Sequence, residues 1–293
     1  MAHPTGRSTS VSVRRSDLLA LAVLAWAGAA TAAMAGDAPR RVVSVNLCTD
    51  QLALMLAAPG QLVSVSRLSH DADSSVMAQT ARTLPANGSG AEEVFLLAPD
   101  LVLAGTFTAP ATVTLLRSLG LDVVQFTPAQ SLADIPDRIV QMGALLGRED
   151  AAADLIARFH GDLAALAAAP GAARPRAALY YVNAYTSGDK TLAGDILRAA
   201  GFANVASEAG LTAGGTLPLE RLVMLAPDVI IQGRDYPGDA RAEATLDHLA
   251  LHALAGTRIA GRITDRDWIC GTPHVLRAIR SLRDLRLSLK AVQ

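Results

Sequence analysis

Aromatic side chains make up only 4% of the 293 residues, cysteine occurs twice, and the charges almost cancel, with 26 Lys and Arg against 27 Asp and Glu. No basic block stands out, which argues against nucleic acid as a partner, because neutralising phosphates takes clustered cations. The short motifs that carry chemistry are missing too: there is no G-x-S-x-G, no G-x4-G-K phosphate loop, no H-E-x-x-H and no G-x-G-x-x-G. The chain is therefore expected to bind rather than to catalyse, and no cofactor is implied. Metal ligands are sparse as well. His248 and His252 stand four apart on a predicted helix and could present two imidazoles to one ion. No further His or carboxylate is placed beside them, so a solvated helix face accounts for the pair and no metal site is assigned.

What the chain does have is apolar material, 51% of its residues, enough for two sizeable cores. Part of it lies at the N-terminus, where Arg14-Arg15 precede an apolar run from Leu18 to Ala33 and Ala33-Met34-Ala35 offers a small-x-small cleavage site. Residues 1–35 read as a cleavable secretory signal peptide. An uncleaved membrane anchor is the alternative, disfavoured by a short, Ala/Gly-rich run. The paired arginines raise twin-arginine export, but Ser16-Asp17 follows where a hydrophobic residue is expected, so the general secretory route is preferred. Neither Cys48 nor Cys270 ends the signal region, so no thiol is placed there for a lipid anchor. Export to an oxidising compartment permits a Cys48–Cys270 disulfide; two buried free thiols are the alternative.

The stretch 148–169 has one glycine, no internal proline and apolar residues at helical spacing (Leu155, Ile156, Phe159, Leu163, Leu166), and Pro170-Gly171 stops it. It reads as one long helix, a strut, because the chain repeats itself on either side. Glu92 to Leu103 and Glu220 to Ile231 share E-x6-P-D followed by three aliphatic residues at a constant offset of 128. Each reads as a short amphipathic helix, an Ala-Pro-Asp turn and a buried strand, which signals an internal duplication.

Around these landmarks strands and helices alternate. In the first half, strands are expected at 41–46, 61–66, 100–104 and 121–125. Helices are expected at 51–58 (capped by Thr49 or Asp50), at 112–119 and 131–146, and up to Leu97 behind a Ser89-to-Glu92 capping box. Residues 67–90 read as a long polar loop, a kind more often functional than idle. In the second half, strands are expected at 176–182, 204–206, 229–232 and 262–268. Helices are expected at 191–200, at 217–225 with Pro218 at its first position, around 240–254, and as a closing helix capped by Thr272-Pro273. The fold class is α/β: two doubly wound lobes with mostly parallel sheets, 40–147 and 174–293, joined by the 148–169 helix.

Open parallel sheets bind ligands beyond the carboxyl ends of their strands, and a cleft between lobes is a common site. That rule selects the loops after Asn46, Ser66, Ala104, Val182, Gln232 and Trp268. They offer Asn46, Cys48, Thr49, Arg67, Phe107, Tyr185, Arg234, Tyr236 and Trp268. In a chain so poor in aromatics, rings and guanidinium groups gathered there suit a large, partly planar, anionic or chelated ligand.

Several of these features together give the pattern a family. The first strand with its D-x-L helix, the doubled E-x6-P-D motif, the strut helix, the Gly194-Asp-Ile-Leu-Arg-Ala-Ala-Gly201-Phe-Ala-Asn204 segment and the Gly-Thr-Pro273 helix span residues 40 to 290. In these the chain resembles the periplasmic substrate-binding components of ABC importers for vitamin B12, iron-siderophores and haem. The resemblance implies a monomeric periplasmic receptor that holds a metal chelate between its lobes and delivers it to an inner-membrane ABC permease dimer. The ligand expected is cobalamin or another corrinoid, with ferric siderophore or haem as runner-up. It also implies that Glu92 and Glu220 project from the two lobe tips to pair with permease arginines, with Glu93 as the local competitor. Asn46-Leu-Cys-Thr-Asp50 and Trp268-Ile-Cys-Gly-Thr272 depart from the general pattern of the class. Less expected are a Zn/Mn receptor, which needs three or four converging ligands, and a chelatase-like enzyme.

Overall fold

A computed structural model describes Met1 and residues 38–167, 173–233, 246, 249–252, 258–260 and 265–290. The first sheet comprises β1 (Val42–Ser44), β2 (Leu62–Ser66), β3 (Ala86–Asn87), β4 (Leu101–Gly105) and β5 (Val123–Phe126). All pair parallel, in the order β3-β2-β1-β4-β5. The second comprises β6 (Arg176–Tyr180), β8 (Ala203–Asn204), β10 (Val229–Gln232) and β11 (Arg258–Ala260), also parallel, in the order β11-β10-β6-β8. Between them in sequence, β7 (Tyr185–Thr186) and β9 (Gly215–Thr216) form a small antiparallel ladder. Each main sheet grows from its first strand in the same way, the second strand to one side and the third and fourth to the other. The duplication read from E-x6-P-D is thus present in the topology.

The helices are α1 (Leu47–Leu56), α2 (Ala78–Ala81), α3 (Ala91–Leu96), α4 (Pro110–Ser118), α5 (Asp134–Leu146), α6 (Glu149–Leu166), α7 (Leu192–Ala199), α8 (Val205–Glu208), α9 (Leu219–Leu225), α10 (Leu249–His252) and α11 (Val275–Lys290). Strand residues alternate between faces. Val42, Leu101 and Leu103 enter one core and Val43, Val102 and Ala104 another; Leu179 and Ile231 likewise face away from Tyr180 and Ile230. Each sheet is therefore covered on both faces, as a parallel sheet requires. One of these cores is continuous through both sheets. It holds Leu103 and Leu179 together with Leu155 and Phe159 of α6 and Ile279 of α11.

Helix α6 presents Ala152, Leu155, Phe159 and Leu166 as a buried stripe at helical spacing, packed on α5 and α11. Its 18 residues span about 27 Å. It begins one residue later than the sequence pattern suggests, with Arg148 at the cap, and its last described turn ends at Leu166; Pro170 and Gly171 lie outside the described residues. Phe159 is 1% exposed, so truncating it to Ala should cost about 3–5 kcal/mol.

The repeated Pro-Asp has a structural reason. Asp100 accepts the backbone N–H groups of Arg40 (2.7 Å) and Arg41 (3.0 Å), and Asp228 accepts that of Arg176 (2.7 Å), so each aspartate clamps the entry to the first strand of its sheet. Ala98 and Ala226, at equivalent positions, adopt left-handed backbone with φ of 45° and 42°, which costs about 1 kcal/mol for a non-glycine residue. The freed carbonyls are taken up by the same arginines, Arg41 on Leu97 and Ala98 and Arg176 on Ala226.

Several local expectations are corrected. The cap of α1 is Asn46, whose Oδ1 accepts from the amides of Cys48 and Thr49; Thr49 and Asp50 already lie inside the helix. Ser89 does not cap α3. It sits at φ 61° and donates to Val45 O, while Glu93, not Glu92, reaches back to the Gly88 amide at 2.6 Å. Pro218 is the cap of α9 rather than its first residue. The last strand is Arg258–Ala260, earlier than 262–268, where Asp265–Asp267 form a 3-10 turn. The polar 67–90 stretch contains a 3-10 turn at Arg67–His70, α2 and β3.

Candidate functional site

In the first sheet the strand order reverses at β1, with β2 on one side and β4 on the other, and the carboxyl ends of β1 and β4 open a crevice there. Two adjoining cavities occupy it. The lower, of about 240 Å³, is lined by Asn46, Cys48 and Thr49 after β1, Gly105–Phe107 after β4, Thr127–Ala129 after β5, Arg138 of α5, and Ile269 and Gly271 from the second half of the chain. The upper, of about 570 Å³, is lined by Arg67, Asn87 to Gly90, Phe107, Thr108 and Thr112. Asn46 and Phe107 belong to both. Phe107 is 85% exposed, a bare ring at the junction. Arg138 keeps a buried Nε with no hydrogen-bond partner, and Arg67 makes no side-chain hydrogen bond among the described residues. Each cavity thus holds one guanidinium with donors to spare. A Cβ placed on Gly88 would stand 2.7 Å from the Arg67 guanidinium, so the absence of a side chain there makes room for it.

The first turn of α1 ties this region together. Cys48 is bonded to Cys270, with Cα atoms 5.1 Å apart and 222 residues of separation. Thr272 Oγ1 stands 3.4 Å from Gln51 Oε1, and Gly271 packs so closely on Ala129 that an added Cβ would meet it at 2.3 Å. Farther out, Leu132 N–H donates to Asp195 Oδ2 at 2.8 Å and Arg266 donates to Ala72 O at 3.1 Å. Asp195 comes from the Gly-Asp-Ile-Leu-Arg segment and also pairs with Arg198.

Asp50, on the same turn, is completely buried. Its Oδ2 accepts three bonds from the turn after β2: Ser66 N–H (3.1 Å), Ser66 Oγ (2.5 Å) and Ser69 Oγ (2.7 Å), while Oδ1 has no partner. Burial pushes its carboxyl up to about 6, against the opposing pull of the Ser44, Ser66 and Ser69 hydroxyls and the Ser66 amide. His274, before α11, is held below the usual histidine range by burial and by Arg277, against the pull of Asp267.

Of the residues singled out in the sequence, Asn46, Cys48, Thr49, Arg67 and Phe107 come together on the two cavities. Thr49 is 1% exposed and bonded to Asn46 O and Ser44. Trp268 is 6% exposed and packs edge-on against Tyr181, which also meets the half-exposed ring of Tyr185; neither Trp268 nor Tyr185 lines either cavity. Arg234 and Tyr236 lie outside the described residues, as does His248. Arg138 and Thr127–Ala129 were missed. The strand-end rule applies equally to β5, but its loop carries no ring or cation to draw attention. Among the described residues no group of three or more His, Cys, Asp and Glu could hold a metal ion. None of their helices is long and apolar enough to cross a membrane.

Two parallel α/β sheets sharing a core, with cavities at the carboxyl strand ends and no catalytic constellation, describe a binding protein. The chain belongs to the periplasmic binding protein family, whose model matches residues 42–255. It is similar to a cobalamin-binding protein of Halobacterium salinarum, 33% identical over 211 residues, which are 69% of this chain and 56% of that one. The match therefore spans little more than half the length of that relative. Among solved structures, the periplasmic haem-binding protein HutB of Vibrio cholerae aligns with a TM-score of 0.70 at 23% identity, over 84% of this chain and 98% of that one. The periplasmic vitamin B12-binding protein BtuF of Vibrio cholerae aligns at 0.63 and 17%, over 86% and 98%. These identities show a common fold. The relatives are binding proteins, and the chain is a binding protein rather than an enzyme.

Proposed function

We propose that this protein is a monomeric periplasmic receptor that captures cobalamin or a closely related corrinoid and hands it to an ABC importer of the inner membrane. The observation that carries the reading is the pair of adjoining cavities at the crevice between β1 and β4, joined through Phe107 and each supplied with an uncommitted arginine. An apolar ring and Ile269 offer a surface for a macrocycle, and guanidinium groups suit the anionic oxygen of its phosphodiester. The likeness to a relative described as cobalamin-binding supports the same ligand. Export through residues 1–35 fits this role.

Glu92 and Glu220 are the docking residues in this reading. Both are exposed, occupy equivalent positions at the starts of α3 and α9, and have no partner among the described residues, since Glu93 performs the local bond to Gly88. Free carboxylates at duplicated positions suit charge-assisted pairing with arginines on a two-fold permease.

The test is thermal unfolding of the mature protein with cyanocobalamin, a ferric siderophore, haem and Zn2+ in parallel. Cyanocobalamin at 100 times its dissociation constant should add about 2.7 kcal/mol, or about 5–10 °C in Tm for a chain of this size. A shift with haem or siderophore and none with cyanocobalamin replaces the corrinoid with that ligand. A Glu92→Ala, Glu220→Ala double variant should keep ligand affinity and lose stimulation of the permease ATPase. Loss of ligand binding instead assigns these carboxylates to the cleft.

A further inference from the structure

The buried carboxylate of Asp50 is more than packing requires. A serine or asparagine could anchor the same turn without ionising, whereas Asp50 keeps one oxygen bare and crowds three donors onto the other. Those donors come from both ends of one short segment, Ser66 and Ser69, and the residue between them that faces the upper cavity is Arg67. The far end of the turn is fixed separately: His70 Nε2 lies 3.0 and 3.1 Å from Ala81 O and Leu84 O, and Arg82 donates to His70 O. Asp50 thus controls the near end alone.

We propose that Asp50 is a positioning residue of the ligand site, whose ionised carboxylate holds the Ser66–Ser69 turn so that Arg67 meets the anionic part of the ligand, and whose protonation loosens that hold. The inference rests on the reading of Arg67 as a ligand contact. A hydrogen bond to a charged acceptor is roughly twice as strong as one to a neutral acceptor, so protonation leaves the three bonds in place but weakens them together. The raised carboxyl of Asp50 puts this change in mildly acidic medium. The groups packed on the carboxyl are the hydroxyls of Ser44, Ser66 and Ser69 and the Ser66 amide, none of which titrates in that range. Of the turn's own charged or titratable groups, Arg67 lies against Gly88 near Glu93, and His70 is turned to the α2 carbonyls. Ligand affinity should therefore fall with acidification in a way that runs through Arg67.

The experiment is a double-mutant cycle read as a function of pH. Binding of cyanocobalamin is measured by calorimetry from pH 5 to 8 for the wild type, Asp50→Asn, Arg67→Ala and the double variant. Wild-type affinity should weaken about tenfold from pH 7.5 to 5, corresponding to about 1.4 kcal/mol. Asp50→Asn should be weaker by a similar factor at pH 7.5 and nearly flat with pH, and it should cost nothing further in the Arg67→Ala background. A flat wild-type profile, or an Asp50→Asn loss that persists undiminished without Arg67, overturns the proposal. If the wild type does not bind cyanocobalamin at any pH, the corrinoid reading falls, and the role of Asp50 is decided in the unliganded protein. Hydrogen exchange of the Ser66–His70 amides, corrected for intrinsic rate, should then quicken on acidification and be equally quick in Asp50→Asn at pH 7.5. Exchange indifferent to both overturns the proposal.

Discussion

Removing the Cys48–Cys270 bond should lower stability by one of the larger amounts available to a single covalent change in this chain. The bond closes a loop of 222 residues, and the chain-entropy relation gives about −18 cal/mol/K for the unfolded ensemble, or about 5 kcal/mol at 25 °C. Native disulfides removed from folded domains typically cost about 2–5 kcal/mol, so the estimate stands at the upper edge of experience. The folded state should survive without it. The shared core around Phe159, the Leu132–Asp195 bond and the packing of Gly271 on Ala129 do not depend on the sulfur atoms. At about 2–4 °C per kcal/mol for a chain of this size, Tm should fall by about 10–20 °C on reduction. Cys48→Ser, Cys270→Ser and the double variant should fall equally, because each leaves the unfolded chain equally free. Differential scanning calorimetry with and without reductant, alongside thiol counting on denatured, unreduced protein, decides the matter. A double variant within about 2 °C of a disulfide-bonded wild type would refute the loop-closure reasoning, and two reactive thiols in the wild type would refute the bond itself.

Other perturbations test other links. Asp50 binds its proton more tightly folded than unfolded, so its contribution is complete below about pH 4 and is lost as pH rises through about 6. This amounts to about 3 kcal/mol between those limits. Chemical denaturation of the wild type against Asp50→Asn at pH 4.5 and 7.5 should show that difference, and a constant gap would contradict it. Gly88→Ala should push the Arg67 side chain out of place and weaken cyanocobalamin binding by about tenfold; because only a flexible side chain must yield, Tm should stay within a few degrees, measured by the same scans. Asp100→Ala should destabilise by about 1 kcal/mol and by more than Asp228→Ala, since Asp100 accepts two strand-entry amides and Asp228 one. Equal losses in urea titrations would argue against the clamp.

The fold was readable because its signals are local and repeated. Buried parallel strands announce themselves as unbroken aliphatic runs, and the second copy of E-x6-P-D confirms the first. What could not be read depends on partners distant in the chain. Thr49 and Asp50 look like caps for α1, yet their side chains are engaged by Ser44 of β1 and by Ser66 and Ser69 beyond β2, and Asn46 caps instead. Ser89 and Glu92 spell a capping box, but Ser89 turns to Val45, a residue 44 positions away. At the site, the scarcity of aromatics rightly drew attention to Phe107, and equally to Trp268, which the structure spends on packing against Tyr181. Arg138 gives no such sign. It follows the end of β5 by a dozen residues and reaches the cavity only because the start of α5 folds back over the crevice.

The disulfide also sets an order of events during synthesis. Made from its N-terminus at about 5–20 residues per second, the chain carries Cys48 as a lone thiol for about 10 to 45 s before Cys270 exists. The first sheet and its helices can assemble in that interval, but their cysteine has nothing of its own to join. With only two cysteines, no incorrect pairing within one molecule is possible, so this chain has no need of disulfide reshuffling. The error left open is a bond between two nascent chains, and its frequency rises with how many are made side by side. Closure of the ring is a late step, available only to molecules whose second half has arrived and folded against the first.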